Sequence, residues 1–324
     1  MLKIKASKLI HSENFVREPV DKEVRDILSS PSKKVILTGG RGVGKSTVLY
    51  SLENSGLGRS EQTICTSPES IIALSREPDN RYDSEYFDYL HELRFANSIL
   101  YYIKTNYPLA YDKYFKEDHM KVVSKLNEFF NKLNDSYFTE VNFNLNLKLR
   151  EFSYPIVSRF RDVMNIDKLN LGVDRFDGMF GGSEYYQKLY ESYFDMFDKV
   201  VLVSDDRNLD AEGLFNNGYS LKFISYGNNE DVLKQIIKHR SGFYENGEDA
   251  LKEVFTLNPV IERLLQLNGN IDMALDVLYD VKTSIKYNDG TNIRLEEIVD
   301  LAIRDKKDYA RRLEKMDFKH TFYL

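Results

Sequence analysis

The sequence predicts a three-layer α/β fold, a parallel-sheet core followed by an all-helical lid, and three observations carry that prediction. Short apolar runs ending in polar residues recur at Val35-Ile36-Leu37, at 169–173 and at 200–203. Buried parallel strands look like this, because helices on both faces of the sheet make them apolar throughout. The stretch GGRGVGKST, residues 39–47, separates the first run from a helix-compatible segment. From residue 229 onward the strand pattern stops and apolar residues return at helical spacing.

The bulk properties narrow the class. With 324 residues, 42% of them hydrophobic, the chain can bury a core and is long enough for two domains. A formal net charge of -6 argues against a surface coated for nucleic acid, while leaving room for a local basic track. One cysteine excludes a disulfide framework, and the five histidines form no ligand-spaced cluster. No stretch approaches the ~20 apolar residues of a membrane helix, and the first residues do not read as a signal peptide. A soluble, cytoplasmic protein is the expectation.

Residues 1–34 lead into the first strand. KKVILT reads as that strand, and KSTVLYSLENSG as a short helix with Gly56 at its C-cap. Between them Gly39, Gly44, Lys45 and Ser46 satisfy G-x-x-x-x-G-K-[ST], with Gly40 and Gly42 as further glycines. The glycines let the backbone wrap tightly and aim its N–H groups at phosphate oxygens. Lys45 brings a point charge to the same oxygens and Ser46 a hydroxyl for Mg²⁺, while the helix opening at Lys45 adds its positive dipole end. Val43 and Thr47 complete the cradle. A P-loop with its strand before and its helix after predicts ATP or ADP as cofactor, together with Mg²⁺.

A nucleoside triphosphatase also needs a carboxylate at the end of a neighbouring strand, to hold the metal's water shell. Leu169, Leu171 and Val173 lead into Asp174, which is the candidate metal ligand; a strand-terminal turn aspartate would look the same. The next residue is Arg175, where enzymes of this kind mostly carry a glutamate that polarises the attacking water. Asp177 is the alternative base, three residues on. The third run, DKVVLVSDDRN, brings Asp205 either to the γ-phosphate and attacking water or to an ordinary strand end.

The long interval between Lys45 and Asp174 holds two amphipathic stretches, 82–107 and 121–138, that read as a helical insertion at about 80–165. TEVNFNLNLKLREF then alternates, with Val141, Phe143, Leu145, Leu147 and Leu149 on one face and Asn142, Asn144, Asn146, Lys148 and Arg150 on the other. That is a half-buried strand by period, either an added edge strand or a polar face for a partner or phosphate backbone. The α/β core spans 35–226, and 227–324 forms the helical lid with a basic C-terminal tail. In the lid Asn229 caps a helix with Glu230 and Asp231 in its first turn, and Asn258-Pro259 opens another that Gly269 ends.

Taken in this order, the segments resemble the AAA+ ATPases, and within them the origin-recognition and clamp-loader-like group. GGRGVGKST resembles the Walker A box, LGVDRFD a Walker B box and VVLVSDD the sensor 1 strand. ENFVREPVDKEVRDIL looks like the segment that packs near the adenine. YSLKFISYGNNEDVLKQIIKHR resembles the passage from the last strand into the lid, and NGNIDMALDVLYDV the lid helix bearing the sensor 2 arginine. The departures matter as much. Arg175 stands where the resemblance implies glutamate, and Asp272 or Ile271 where it implies arginine. LDAEGLFNNGYS has no arginine finger for a neighbouring subunit, leaving Arg207 as the nearest alternative and Lys222 as a poorer one. Three altered positions imply a site that binds nucleotide and hydrolyses it slowly or not at all.

The expected function is an ATP-binding assembly factor or switch, associated with DNA in replication, transposition or phage-related processes. Its expected partners are nucleotide, further copies of itself or a larger protein assembly, and DNA as a candidate; no membrane partner is expected. A nucleotide-bound structural or signalling adaptor, recruiting a protein through the tyrosine-rich insertion, fits the same residues. A P-loop kinase fits them less well, having no use for the lid.

Overall fold

Val35, Ile36 and Leu37 are at most 2% exposed, and a strand made of such residues needs cover on both faces. It has that cover in β1 (Lys34–Thr38), which lies inside a five-stranded sheet with β2 (Glu61–Thr66), β3 (Lys168–Val173), β4 (Lys199–Val203) and β5 (Tyr219–Phe223), in the order β2-β3-β4-β1-β5. This computed structural model describes residues 15–40, 42–54, 60–66, 84–135, 150–174, 191–204, 218–239, 255–287 and 294–320. Gly56, Arg175, Asp177, Asp205, Arg207 and the alternating run 141–149 lie outside the described residues.

The pairs β1–β4, β3–β4 and β2–β3 are parallel, with Lys34 opposite Val200, Asn170 opposite Lys199 and Glu61 opposite Lys168. At the fifth strand, Ser220 Oγ donates to Lys34 O at 3.4 Å and Ile224 N to Thr38 O at 2.8 Å. The partners advance together along both chains, so β5 is parallel as well. The carboxyl ends of all five strands therefore lie along one edge of the sheet, where ligands of open α/β sheets bind.

The chain divides into two compact units. One contains Val24–Leu37 and Leu49–Lys222, and with them most of the sheet. Between β2 and β3 it carries α3 (Ser84–Asn106), α4 (Pro108–Tyr114), α5 (Lys116–Asp135) and α6 (Ser153–Met164); α1 (Arg17–Ser29) and α2 (Lys45–Asn54) flank β1. Helices α3 to α6 share one hydrophobic core with the strands. Leu93, Phe95, Ile99, Ile103, Phe115 and Phe160 belong to the same buried cluster as Ile64, Leu169, Leu171 and Val200. Tyr102 Oη donates to Thr63 O at 3.0 Å and Tyr107 Oη to Gln62 Oε1 at 2.8 Å, which seals α3 onto the edge strand β2.

Arg150 and Phe152 read as the end of an alternating strand, yet Arg150, Glu151 and Phe152 form a turn, with Arg150 at φ 72. The cause is Glu92, wholly buried on α3. Its carboxylate accepts from the main-chain N–H groups of Arg150 and Phe152, each at 2.9 Å, and of Ser153 at 2.7 Å, as well as from Ser153 Oγ at 3.1 Å. A buried carboxylate gathers donors strongly, and here they are the N–H groups of the turn at Arg150 and of the start of α6. Backbone committed to Glu92 cannot also pair in a ladder.

The other unit gathers Met1–Glu23, Thr38–Val48 and Phe223–Leu324. Its helices α7 (Glu230–His239), α8 (Asn258–Leu265), α9 (Ile271–Tyr287) and α10 (Leu295–His320) are the predicted lid. Asn229 does cap α7, its Oδ1 accepting from Val232 N at 3.1 Å, and proline opens α8. Asn268 at φ 53 and Gly269 at φ 76 turn the chain from α8 into α9. Leu233, Ile237, Phe255, Val260, Leu264, Leu278, Val281 and Val299 form the lid's own core. No helix among the described residues is long and apolar enough to cross a membrane.

Candidate functional site

The phosphate loop bends in the left-handed region at Gly42 (φ 77) and Gly44 (φ 104), where a side chain is disfavoured by conformation alone. Space is short as well. A methyl group on Gly42 would stand 2.3 Å from Asn270 Oδ1, and one on Gly44 3.0 Å from the ring of Tyr226. The sequence pattern therefore records both a backbone conformation and the approach of two residues from distant parts of the chain.

After the loop, α2 starts at Lys45, its first turn closed by Val48 N donating to Gly44 O at 3.1 Å. Ser46 and Thr47 sit in that first turn, at the positive dipole end of the helix, which favours an anion. Val43 is 2% exposed and anchors the loop from inside. Lys45 is 6% exposed, and its ammonium donates to Gly39 O and, at 2.9 Å, to Gly40 O. Its head group thus lies within the loop, bonded to carbonyls that a phosphate can replace as partners. All eight residues assigned to the cradle, Gly39, Gly40, Gly42, Val43, Gly44, Lys45, Ser46 and Thr47, are brought together.

Beside the cradle lies a small cavity, open to solvent. Gly44 and Thr47 form its wall toward the loop. Phe15, Val16, Pro19 and Val20 close it from the N-terminal segment, and Tyr226, Val232, Ile236 and Ile271 from the strand-to-lid turn and the lid. The lining is apolar apart from Thr47 and the hydroxyl of Tyr226. That hydroxyl donates to Pro19 O at 3.3 Å. An apolar slot next to a phosphate cradle is the shape a nucleoside polyphosphate demands. The residues present fit such a ligand.

Asp174 closes β3 in the sheet-bearing unit. It is 8% exposed, and its N–H donates to Thr66 O at 3.1 Å. Its charge is felt by Cys65, whose thiol is pushed well above its ordinary range by burial first, then by Glu53 and Asp174. Asp174 is thus a carboxylate at the carboxyl edge of the sheet, where the sequence expected it.

Two residues of the site escaped the sequence reading. Asn270 packs on Gly42, caps α9 by accepting from Met273 N at 2.9 Å, and precedes Ile271, whose N–H donates to Gly42 O at 3.0 Å. The segment NGNID attracted attention only for the arginine it lacks; asparagine before a helical apolar pattern was the available signal. Asp272 is also close, its Cβ 3.5 Å from a methyl built on Gly42. Tyr226 was visible as the aromatic residue of the turn before α7, with nothing in its local sequence to show that it meets Gly44.

No family model matches the chain, and no curated protein matches it. Among solved structures it is similar to AMPPCP-bound DnaA from Aquifex aeolicus, with 14% identity over 98% of this chain and 92% of that one, at a TM-score of 0.35. It is also similar to PCH-2 from C. elegans, with 11% identity over 90% of this chain and 65% of that one, at a TM-score of 0.34. Superpositions this loose leave the site standing on its own geometry.

Proposed function

We propose that the chain is an ATP-binding protein of the AAA+ type that acts as a nucleotide-dependent assembly factor or switch. The observation that carries this reading is the adjacency, within one compact unit, of a phosphate loop and an apolar cavity that begins at Gly44 and Thr47. Lys45 and the main-chain N–H groups of 42–47 hold the phosphates. Ser46 and Asp174 are the candidates that would hold Mg²⁺, and the metal would supply charge neutralisation when bound. Asp177, Asp205 and Arg207 are the remaining candidates for orienting water or for stabilising charge. The resemblance noted above supports self-association and a DNA-associated assembly, with weak hydrolysis.

Calorimetric titration with ATP–Mg²⁺ tests the site. Lys45→Ala deletes a charge-assisted contact and is expected to weaken binding by at least ~2 kcal/mol. A variant that binds as tightly as its parent removes the assignment. Phosphate release measured alone, with duplex and with single-stranded DNA, alongside the mass of the protein with and without ATP, separates a DNA-linked assembly factor from a protein-recruiting adaptor.

A further inference from the structure

We infer that Tyr226 joins the base cavity to the phosphate cradle, so that a base-bearing nucleotide closes the N-terminal segment onto the site and a bare phosphate chain does not. The inference rests on the nucleotide reading above and concerns how that site discriminates its ligand.

Tyr226 touches two chain segments that are remote in sequence and the start of the lid helix beside it. Its ring lies on Gly44, close enough that a methyl there would be 3.0 Å from Cδ2. Its hydroxyl donates to Pro19 O at 3.3 Å. Its carbonyl accepts from Asn229 N at 3.0 Å, directly ahead of the lid helix that Asn229 caps. The turn that carries it is itself fixed, since a methyl on Gly227 would come within 2.2 Å of Gly269 O. The tyrosine therefore stands on a braced support and reaches toward both halves of the candidate site.

The physical consequence follows from what each half can hold. The cradle offers charge and N–H donors and takes any phosphate chain. The cavity offers apolar walls and gains only from a ligand with a flat, poorly hydrated base. Phe15, Val16, Pro19 and Val20 belong to the N-terminal segment, and the described side-chain bond that ties this wall to the turn before the lid is the one from Tyr226 to Pro19. A base filling the cavity adds contacts on both sides of that bond and fixes the wall. Pyrophosphate fills only the cradle and leaves the wall as it was. Tyr226 is a positioning residue, acting on the base-dependent part of the affinity.

The test uses the full chain and two probes, ADP–Mg²⁺ and pyrophosphate–Mg²⁺, with calorimetry for affinity and hydrogen exchange for the segment 15–23. In the parent, ADP is expected to bind at least ~100-fold more tightly than pyrophosphate, as burial of a base in an apolar slot implies, and ADP alone is expected to slow exchange at 15–23. Tyr226→Phe keeps the ring and loses the bond to Pro19, so the ADP-to-pyrophosphate ratio is expected to fall about three- to tenfold with pyrophosphate affinity kept. Tyr226→Ala should lower the ratio further. If both variants keep the parental ratio, or if pyrophosphate protects 15–23 as well as ADP does, the inference is overturned while nucleotide binding stands. If the parent binds neither probe, the nucleotide reading itself falls and takes the inference with it. Should Tyr226→Ala fail to fold, Tyr226→Phe decides alone.

Discussion

The main-chain N–H of Ile271 donates to the carbonyl oxygen of Gly42 at 3.0 Å, so the first residue of a lid helix is bonded to the middle of the phosphate loop. Asn270 reinforces that bond by capping the same helix while its side chain rests on Gly42. Asn270→Ala removes the cap and is expected to cost about 1 kcal/mol, with faster hydrogen exchange at the start of α9. Gly42→Ala places a methyl where Asn270 already is, in a backbone conformation that alanine resists. It is expected to loosen the lid and weaken ADP binding together. Parental exchange and parental affinity in Gly42→Ala would show that the contact is incidental.

A second prediction concerns Glu92. It is wholly buried and accepts four hydrogen bonds, three of them from main-chain N–H groups in the turn before α6 and at its start. Glu92→Ala leaves those donors without their acceptor at about 1–3 kcal/mol for each one that stays dry, so a loss of roughly 3 kcal/mol or more is expected. Glu92→Gln keeps one oxygen and should lose less. Denaturant midpoints of the two variants give the comparison, and equal midpoints for Glu92→Ala and the parent would rule out the clamp.

Stability should depend on pH through two groups that pull in opposite directions. Burial, with Arg94 adding to it, lowers His91 from 6.5 to about 4. Between those values the unfolded chain takes up a proton that the folded one does not, so stability is lost as pH falls from 6.5 toward 4. Burial raises Glu53 from 4.5 to about 7, against a hydrogen bond from Tyr102 that lowers it. The folded chain then holds the extra proton, and stability is lost as pH rises from 4.5 through 7. His91→Gln is expected to leave stability that falls with rising pH in the shared window, and Glu53→Gln stability that rises. Thermal melts of both variants at pH 5 and pH 7 check the sign; identical slopes would remove both assignments.

How far the fold was legible follows from where each signal is stored. The strands and the phosphate loop are local facts. A buried parallel strand must be apolar along its length, and Gly42 and Gly44 must be glycine because of their own φ values. The partners of those glycines are not local. Nothing near Tyr226 or Asn270 in sequence specifies contact with residues about 180 to 230 positions earlier. Helix α3 misleads for another reason. His91, Glu92 and Arg94 give it the polarity of an exposed amphipathic helix, yet all three are at most 8% exposed, in step with Leu93 and Phe95 beside them. Polar residues buried on a helix erase the link between hydrophobic period and exposure, and Glu92 is accommodated there by the four bonds it accepts. The same Glu92 ended the strand pattern at Arg150.

The last prediction concerns turnover. Arg175 stands after Asp174 where a glutamate would orient the attacking water, and positioning that water is most of what a protein contributes to phosphoryl transfer. The lid brings Asp272, an acid, beside Gly42, where the family resemblance implies an arginine against developing charge. Arg207, if supplied by a neighbouring copy, is the cation left to replace it. Binding is therefore expected to be much stronger than hydrolysis, with turnover well below the ~1–100 s⁻¹ of efficient kinases. Arg175→Glu should leave ADP affinity intact and raise the rate of phosphate release from ATP, and a rise that depends on protein concentration would point to Arg207 acting across subunits. Rapid hydrolysis by the unaltered chain, persisting in Asp177→Asn and Arg207→Ala, would place the catalytic carboxylate on a different strand.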